Sequence, residues 1–298
     1  MAPGSLGPLN ASRLMRSAPL FRVWRLAGAG AGGSRTEYEV AWRYQKALLE
    51  HACAAHKRGQ SVPDSLLLVE HPRVFTLGRG ASLANVRFAP GSSSSPKLVR
   101  VERGGEVTWH GPGQLVAYPI LNLHRHKKDL HWYTTALEES VIRALARFDV
   151  SAGRNDVNTG VWVGPNKISA IGVTASRWHT MHGVAINVSC SLADFDAIVP
   201  CGIAQPGMSV CRLVDLLPPG AGAGAGAGEA ADEAMMAADG GLLQRFGAEF
   251  ERAFADVFQL QLEAEPGNPA EALDALVQEH AASVGAGPGP GMGVIERL

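Results

Sequence analysis

Two side chains in the stretch GPNKISAIGVTASRWHTMHGVAINVSCSLADFDAIVPCGI (164–203) have chemistry open to them. Cys201 sits between Pro200 and Gly202, at the end of the apolar run FDAIVP. A thiol placed there either packs or attacks, and attack needs a nearby cation or base to lower its pKa. Lys167 follows the turn GPN and leads into the apolar run ISAIGV, which can deliver its amine to a pocket. Spacing alone permits the pair without requiring it.

The loop RGGEVTWHGPGQ (103–114) crowds glycines and a proline around a histidine. Gly104 and Gly105 allow a close backbone approach with exposed amides, or they simply turn a hairpin. No G-K-[ST] follows, so the loop is not a P-loop. His110, which ends the glycine loop, and His182, before Gly183, are candidate bases near neutral pH, although a lone histidine is more often structural. GAGAGG (28–33) has the letters of a dinucleotide fingerprint but neither follows a strand nor opens a βαβ unit, and is set aside.

The elements that must position these residues read as α+β. TEYEVAWRYQKALLEHACAAHKRG (36–59) repeats Tyr38, Ala41, Leu48, Ala52 and Ala55 at helical spacing. Thr36 and Glu39 have capping-box spacing, and Gly59 suits the stop. DLHWYTTALEESVIRALARF (129–148) and GLLQRFGAEFERAFADVFQL (241–260) are two further helices. Strands are expected at 65–71, 73–80, two or three within 97–123, and near 160–164, 167–176 and 182–189. Runs of strands interleaved with helices predict one α+β domain around a mostly antiparallel or mixed sheet.

The chain has 298 residues, 46% of them hydrophobic and 18% charged, enough for a sizeable core. Its formal charge of -1 gives no global attraction to nucleic acid or membrane, and no apolar run is long enough to span a bilayer. Cys53, Cys190, Cys201 and Cys211 form no C-x-x-C pair, so reduced thiols and no metal site are expected. Residues 1–35 carry Arg13, Arg16, Arg22, Arg25 and Arg35 without an acid, the composition of a mitochondrial transit peptide or a disordered basic tail. GSSSS (91–95), PPGAGAGAGAGEAADEA (218–234) and GAGPGPGMG (285–293) read as unstructured. The expected layout is therefore 1–35 targeting or disordered, 36–262 catalytic with an insert near 218–240, and 263–298 a tail.

Five segments, EHPRVFTLGR, RGGEVTWHGPGQLVAYPILNL, GVWVGPNKISAIGV, MHGVAINV and FDAIVPCGI, together resemble the lipoyl(octanoyl) transferases, in order over about residues 36–217. The resemblance implies the biotin/lipoate protein ligase fold and octanoyl transfer from octanoyl-acyl carrier protein to a lysine of lipoyl domains, without cofactor or metal. The implied acceptors are lipoyl domains of 2-oxoacid dehydrogenases and the glycine-cleavage H protein, in the mitochondrial matrix. By position, Cys201 matches the acyl-thioester nucleophile and Lys167 the lysine that lowers the thiol pKa. Arg103, Gly104, Gly105, Glu106, Val107, Thr108, Trp109 and His110 match one substrate-binding segment, Ala170, Ile171 and Gly172 a second, and Gly183, Val184 and Ala185 a third. Asn187 is a plausible hydrogen-bonding neighbour, and small residues around Gly172 and Gly183 are expected to leave room for an acyl tunnel. An ATP-dependent ligase and an idle lipoyl-domain binding module are the rivals. The basic stretch HRHKKDLHW (124–132) is either a solvated helix start or a patch that steers an acidic carrier protein toward the thiol.

Overall fold

The run SLLLV at 65–69 is apolar at every position but the first, so a strand there needs cover on both faces, and the chain provides it. The computed structural model describes residues 18–26, 35–91, 95–156, 158–200, 203, 206–218, 229–263, 267–284 and 296–297. The elements are β1 (Leu20–Arg25), α1 (Tyr38–Lys57), β2 (Asp64–Val69), β3 (Val74–Leu77), β4 (Leu98–Arg100), β5 (Val107–His110), β6 (Gln114–Ile120), α2 (Leu130–Ala146), β7 (Gly160–Val163), β8 (Asn166–Ser176), β9 (His179–Asn187), β10 (Ser209–Val210), α3 (Glu229–Phe258), β11 (Gln261–Leu262), α4 (Pro269–Val284) and β12 (Glu296–Arg297). The larger sheet runs β10–β8–β9–β6–β2–β1–β11 with β7 added beside β8, and the smaller runs β12–β4–β3–β5. Parallel pairs β1–β2, β1–β11, β8–β10 and β3–β4 sit among antiparallel ones, so both sheets are mixed.

Strand alternation divides the core in two. Leu66, Leu68, Leu115 and Ala117 face α2 and α3, where Leu242, Phe246, Phe250, Phe254 and Phe258 repeat every fourth residue down one side of α3. Leu67, Val69, Val116 and Tyr118 face α1 and α4. The functional residues lie on this second side.

The expected boundaries at both ends need correction. Residues 20–25 are a strand, not part of a detached leader: Phe21, Val23 and Trp24 are buried, and β1 pairs along its length with β2. Two of the arginines that suggested targeting are committed to the fold, Arg22 to Glu263 and Arg25 to Glu251. The supposed tail contains α4, whose Leu273 is fully buried against α1 and whose Asp274 accepts a hydrogen bond from Tyr44 Oη (2.8 Å). Helix α3 begins at Glu229, inside the stretch expected to be unstructured. GAGAGG (28–33), residues 92–94, 219–228 and GAGPGPGMG lie outside the described residues.

The capping box of α1 does not form. Glu37 is the N-cap without a side-chain bond, and the carboxylates of Glu37 and Glu39 both accept from Lys97 Nζ (2.8 and 2.6 Å). Gly59 does close the helix, in the left-handed region at φ 70°. At α2 the cap is Asp129, whose carboxylate accepts from Trp132 N (3.1 Å).

Candidate active site

In an unbroken strand, residues three apart point to opposite faces. Residues 167 and 170 do not, because the β7–β8 pairing slips: Val161 opposes Ser169, whereas Trp162 opposes Lys167. The extra residue is Ile168, which stays in the core under α2 and α3. This bulge re-aims Lys167. It joins Ala170 and Gly172 in lining a cavity of about 220 Å³ on the α1 side of the sheet. Lys167 is buried there; its Nζ donates to Asn158 Oδ1 (2.6 Å) and lies 5.6 Å from the centre of the Trp162 ring. Gly160 makes room for it: a Cβ at this position (φ 139°) would stand 2.5 Å from Lys167 Cε and 2.4 Å from Ser169 O.

The glycine loop and β5 form the second wall. Arg103, Gly105, Glu106, Thr108 and His110 line the cavity, whereas Val107 and Trp109 alternate away into a small cluster with Phe75, Leu77 and Phe195. Gly104 is also absent from the lining; its amide donates to Val173 O (3.1 Å), tying the loop to β8. Of the eight residues expected to bind substrate in this segment, five therefore face the cavity. Arg103 is held by Thr76, whose carbonyl and Oγ1 accept from one guanidinium nitrogen (2.8 and 2.9 Å).

His110 is no candidate base. Gln114 Oε1 can only accept, so His110 Nδ1 donates to it (2.8 Å), and Nε2 is left to accept from Thr76 Oγ1 (3.3 Å). Burial, with His71 nearby, also holds its pKa well below the usual value. The network continues: Gln114 Nε2 donates to Asn187 Oδ1 (2.9 Å), and Asn187 Nδ2 donates to Cys211 O (3.0 Å). Asn187 thus couples the loop to the segment after Cys201, which lies along β8, with Val210 beside Lys167.

Ala170, Ile171, Gly172, Gly183, Val184 and Ala185 all line the cavity, but the two glycines do not act by opening a tunnel. A Cβ at Gly172 would meet Arg103 Cδ at 2.9 Å, and one at Gly183 would meet Ala117 O at 2.1 Å. The first lets Arg103 cross the sheet; the second lets β6 and β9 close. Near Gly183 the ladder fails, because Pro119 in β6 has no N–H to give. Thr180 Oγ1 bridges the gap, donating to Pro119 O (2.8 Å) and accepting from Leu121 N (2.9 Å). His182 swings into the left-handed region (φ 61°) with both ring nitrogens buried and without hydrogen-bond partners. Its Nε2 is 3.6 Å from Glu102 Oε2. Burial raises the Glu102 carboxyl, but His182 and the Trp42 N–H outweigh it and bring it down to about 2.

Tyr38, Val116, Tyr118, Asn158 and Thr159 also line the cavity and were not read from sequence. Counting outward from Val163 opposite Asn166 puts Trp162 beside Lys167, but it does not place Asn158 or Thr159 at the cavity. Cys201 lies outside the described residues, as do Gly202, Ala204 and Gln205; the flanking Pro200 carbonyl accepts from Ile203 N (2.9 Å). The other three thiols are unsuited to attack. Burial pushes Cys53 and Cys211 up to about 11 and Cys190 further still. Among the described residues, no group of histidines, cysteines and acids is arranged to hold a metal ion.

Within the basic stretch at 124–132, Arg125 is committed to the fold, whereas Lys127 and Lys128 are exposed. Arg125 pairs with the buried Asp64 and donates to Val62 O (2.7 Å). Leu123 N donates to Trp178 O, in the turn at the far end of β8. From Lys167 to Ser176 is nine residues, roughly 30 Å of strand, so the basic stretch lies toward the opposite end of β8 from Lys167.

Residues 37–222 match the model of the lipoyl protein ligase A/B catalytic domain. The chain belongs to that family. Within it, the chain is similar to the chloroplastic octanoyltransferase LIP2p2 of Arabidopsis thaliana, 43% identical over 228 residues that cover 76% of each protein. It is 48% identical to an octanoyltransferase of Synechococcus elongatus, over 61% of this chain and 75% of that one, and 50% identical to one of Nostoc sp. PCC 7120, over 56% and 74%. These relatives make it an acyltransferase of the octanoyltransferase branch. The fold is shared with a bipartite lipoate protein ligase of Thermoplasma acidophilum (TM-score 0.52, 13% identity, covering 88% of this chain and 92% of that one). It is shared also with LipL1 of P. falciparum (0.53, 11%, covering 91% and 75%). No helix among the described residues is long and apolar enough to cross a membrane.

Proposed function

We propose that the chain transfers an octanoyl group from octanoyl-acyl carrier protein to a lysine of a lipoyl domain, through a thioester on Cys201. The observation that carries this reading is the buried amine of Lys167, set in a cavity of about 220 Å³ and paired by register with the segment that follows Cys201. The Cys201 thiolate attacks the donor thioester, the acyl group moves to Sγ, and the carrier's thiolate leaves with a proton from Lys167. The neutral Lys167 then takes a proton from the acceptor amine as that amine attacks the enzyme thioester, and the Cys201 thiolate leaves. One thioester is exchanged for another and then for an amide, so no ATP is required.

The test is intact mass after incubation with octanoyl-acyl carrier protein. The chain should gain one octanoyl group that neutral hydroxylamine removes; Cys201→Ser should gain none. Stable acylation of Cys53, Cys190 or Cys211 in that variant would defeat the assignment, and an absolute need for ATP would make the chain a ligase. Lipoyl domains of 2-oxoacid dehydrogenases and the H protein are the proposed acceptors. Residues 1–17, which precede β1, carry the proposed organelle signal. Its composition suits a mitochondrion, whereas the chloroplastic and cyanobacterial relatives favour a plastid. A reporter fused after residue 17 distinguishes the two.

A further inference from the structure

We infer that Asn158 is a positioning residue for Lys167, holding the amine with a neutral acceptor so that it can release and regain a proton within one turnover. The inference rests on the role given above to Lys167. Asn158 Oδ1 is 2.6 Å from Nζ, and a carbonyl oxygen there can only accept. Asn158 is itself fixed. Its amide donates to Asn155 Oδ1 (3.1 Å), and its carbonyl accepts from Trp162 Nε1 (3.1 Å). Trp162 is the ladder partner of Lys167, so the anchor and the amine are set by the same pair of strands.

The supporting loop is clamped from outside the cavity. Gly160 N donates to Glu138 Oε1 (2.9 Å), and Arg154 donates to the other oxygen of the same carboxylate (3.1 Å). The chemistry of the anchor matters as much as its place. A carboxylate in its position would form a charge-assisted bond about twice as strong as a neutral one and would keep the proton on Lys167. An amide fixes the direction of the amine without that bias. The amine must give a proton to the leaving thiolate and later take one from the acceptor, so a neutral anchor suits both halves of the reaction.

Asn158→Asp, nearly the same size and shape, separates this role from a structural one. In the full-length chain, acyl loading of Cys201 is followed by intact mass, and transfer to a lipoyl domain is followed across pH. In Asn158→Asp, transfer at pH 7 should fall roughly tenfold and return as the pH is raised by about one unit. Asn158→Ala should lose transfer at every pH. A wild-type pH profile in Asn158→Asp, a loss that no pH restores, or an unchanged rate in Asn158→Ala would each overturn the inference. Lys167→Ala, run in parallel, tells the two failures apart. Wild-type transfer there removes the role of Lys167 itself, whereas a dead Lys167→Ala beside unaffected Asn158 variants removes only the anchor.

Discussion

Gly160→Ala should disable the site without changing any group that does chemistry. Gly160 opens β7 at φ 139°, a region that side-chain-bearing residues rarely enter, and its missing Cβ is where Lys167 passes. The added methyl would lie 2.5 Å from Lys167 Cε and 3.2 Å from Nζ. Ordinary carbon contacts are ~3.5–4.0 Å, so Cε must retreat by about 1 Å. Retreat alone does not suffice, because Ser169 O at 2.4 Å is backbone of the paired strand. Backbone strain costs about 1–3 kcal/mol and overpacking about 1–3 more. The sum, about 2–6 kcal/mol, is a large part of the ~5–15 kcal/mol that holds a domain folded. At ~2–4 °C per kcal/mol, the melting temperature should fall by about 4–24 °C. In protein that stays folded at the assay temperature, displacing the amine by about 1 Å should cost on the order of 10²-fold in octanoyl transfer. Gly153→Ala is the control: nothing lies within 4 Å of its added Cβ, and stability should stay within ~0.5 kcal/mol. The assays are thermal melting and transfer to a lipoyl domain, with both variants compared side by side. Wild-type behaviour of Gly160→Ala in both would refute the packing described around Lys167. A lowered melting temperature with an unchanged rate would refute the claim that the position of the amine matters.

Three other outcomes follow from the geometry. Burial holds His71, which donates to Thr36 O and accepts from Tyr118 Oη, down to about 4 from 6.5. The unfolded chain therefore takes up a proton that the folded chain refuses; stability from this group is complete above pH 6.5 and lost as pH falls toward 4, about 3 kcal/mol in all. Urea midpoints should drop over that window, and less steeply in His71→Gln. Arg125→Glu should destabilise the chain by about 3–5 kcal/mol, because it leaves the buried Asp64 facing a second carboxylate; exposed Lys127→Glu should leave the melting temperature unchanged. Leu273→Ala, in the fully buried contact of α4 with α1, should cost about 2–5 kcal/mol in chemical denaturation, whereas a dispensable tail would show no change.

What the sequence revealed depended on how local the signal was. The apolar run at 65–69 and the periodic helix at 130–146 carry their own pattern, and both formed where expected. Strand β1 has a pattern too, with Phe21 and Val23 alternating around Arg22, but the arginine-rich setting argued for a leader. Its partner β2 lies about forty residues on, and no local pattern records such a pairing. Helix α4 was legible in its own residues: Pro269 at the first position suits a helix start, and Leu273, Leu276 and Val277 make an apolar side. The glycine-proline run beyond it drew the whole segment into a tail.

The candidate site shows why pattern alone stops short of chemistry. Counting by twos along β8 groups Lys167 with Ser169, whose ladder partners Val161 and Ile186 belong to the core under α2 and α3, and would bury a charged amine there. The chain avoids this by spending Ile168 and Ser169 together on the helix side, where Val161 and Ile186 are the strand neighbours of Ser169. Only that irregularity brings the amine to Ala170, Gly172 and the Arg103 loop. Nothing in the letters KISAIG marks it, because a bulge is decided by the register of two strands and not by the composition of one. Motif resemblance could single out Lys167 because it is indifferent to register. It could not supply Asn158 or Gly160, whose parts are visible only once β7 is laid against β8 and the path of the lysine side chain is known.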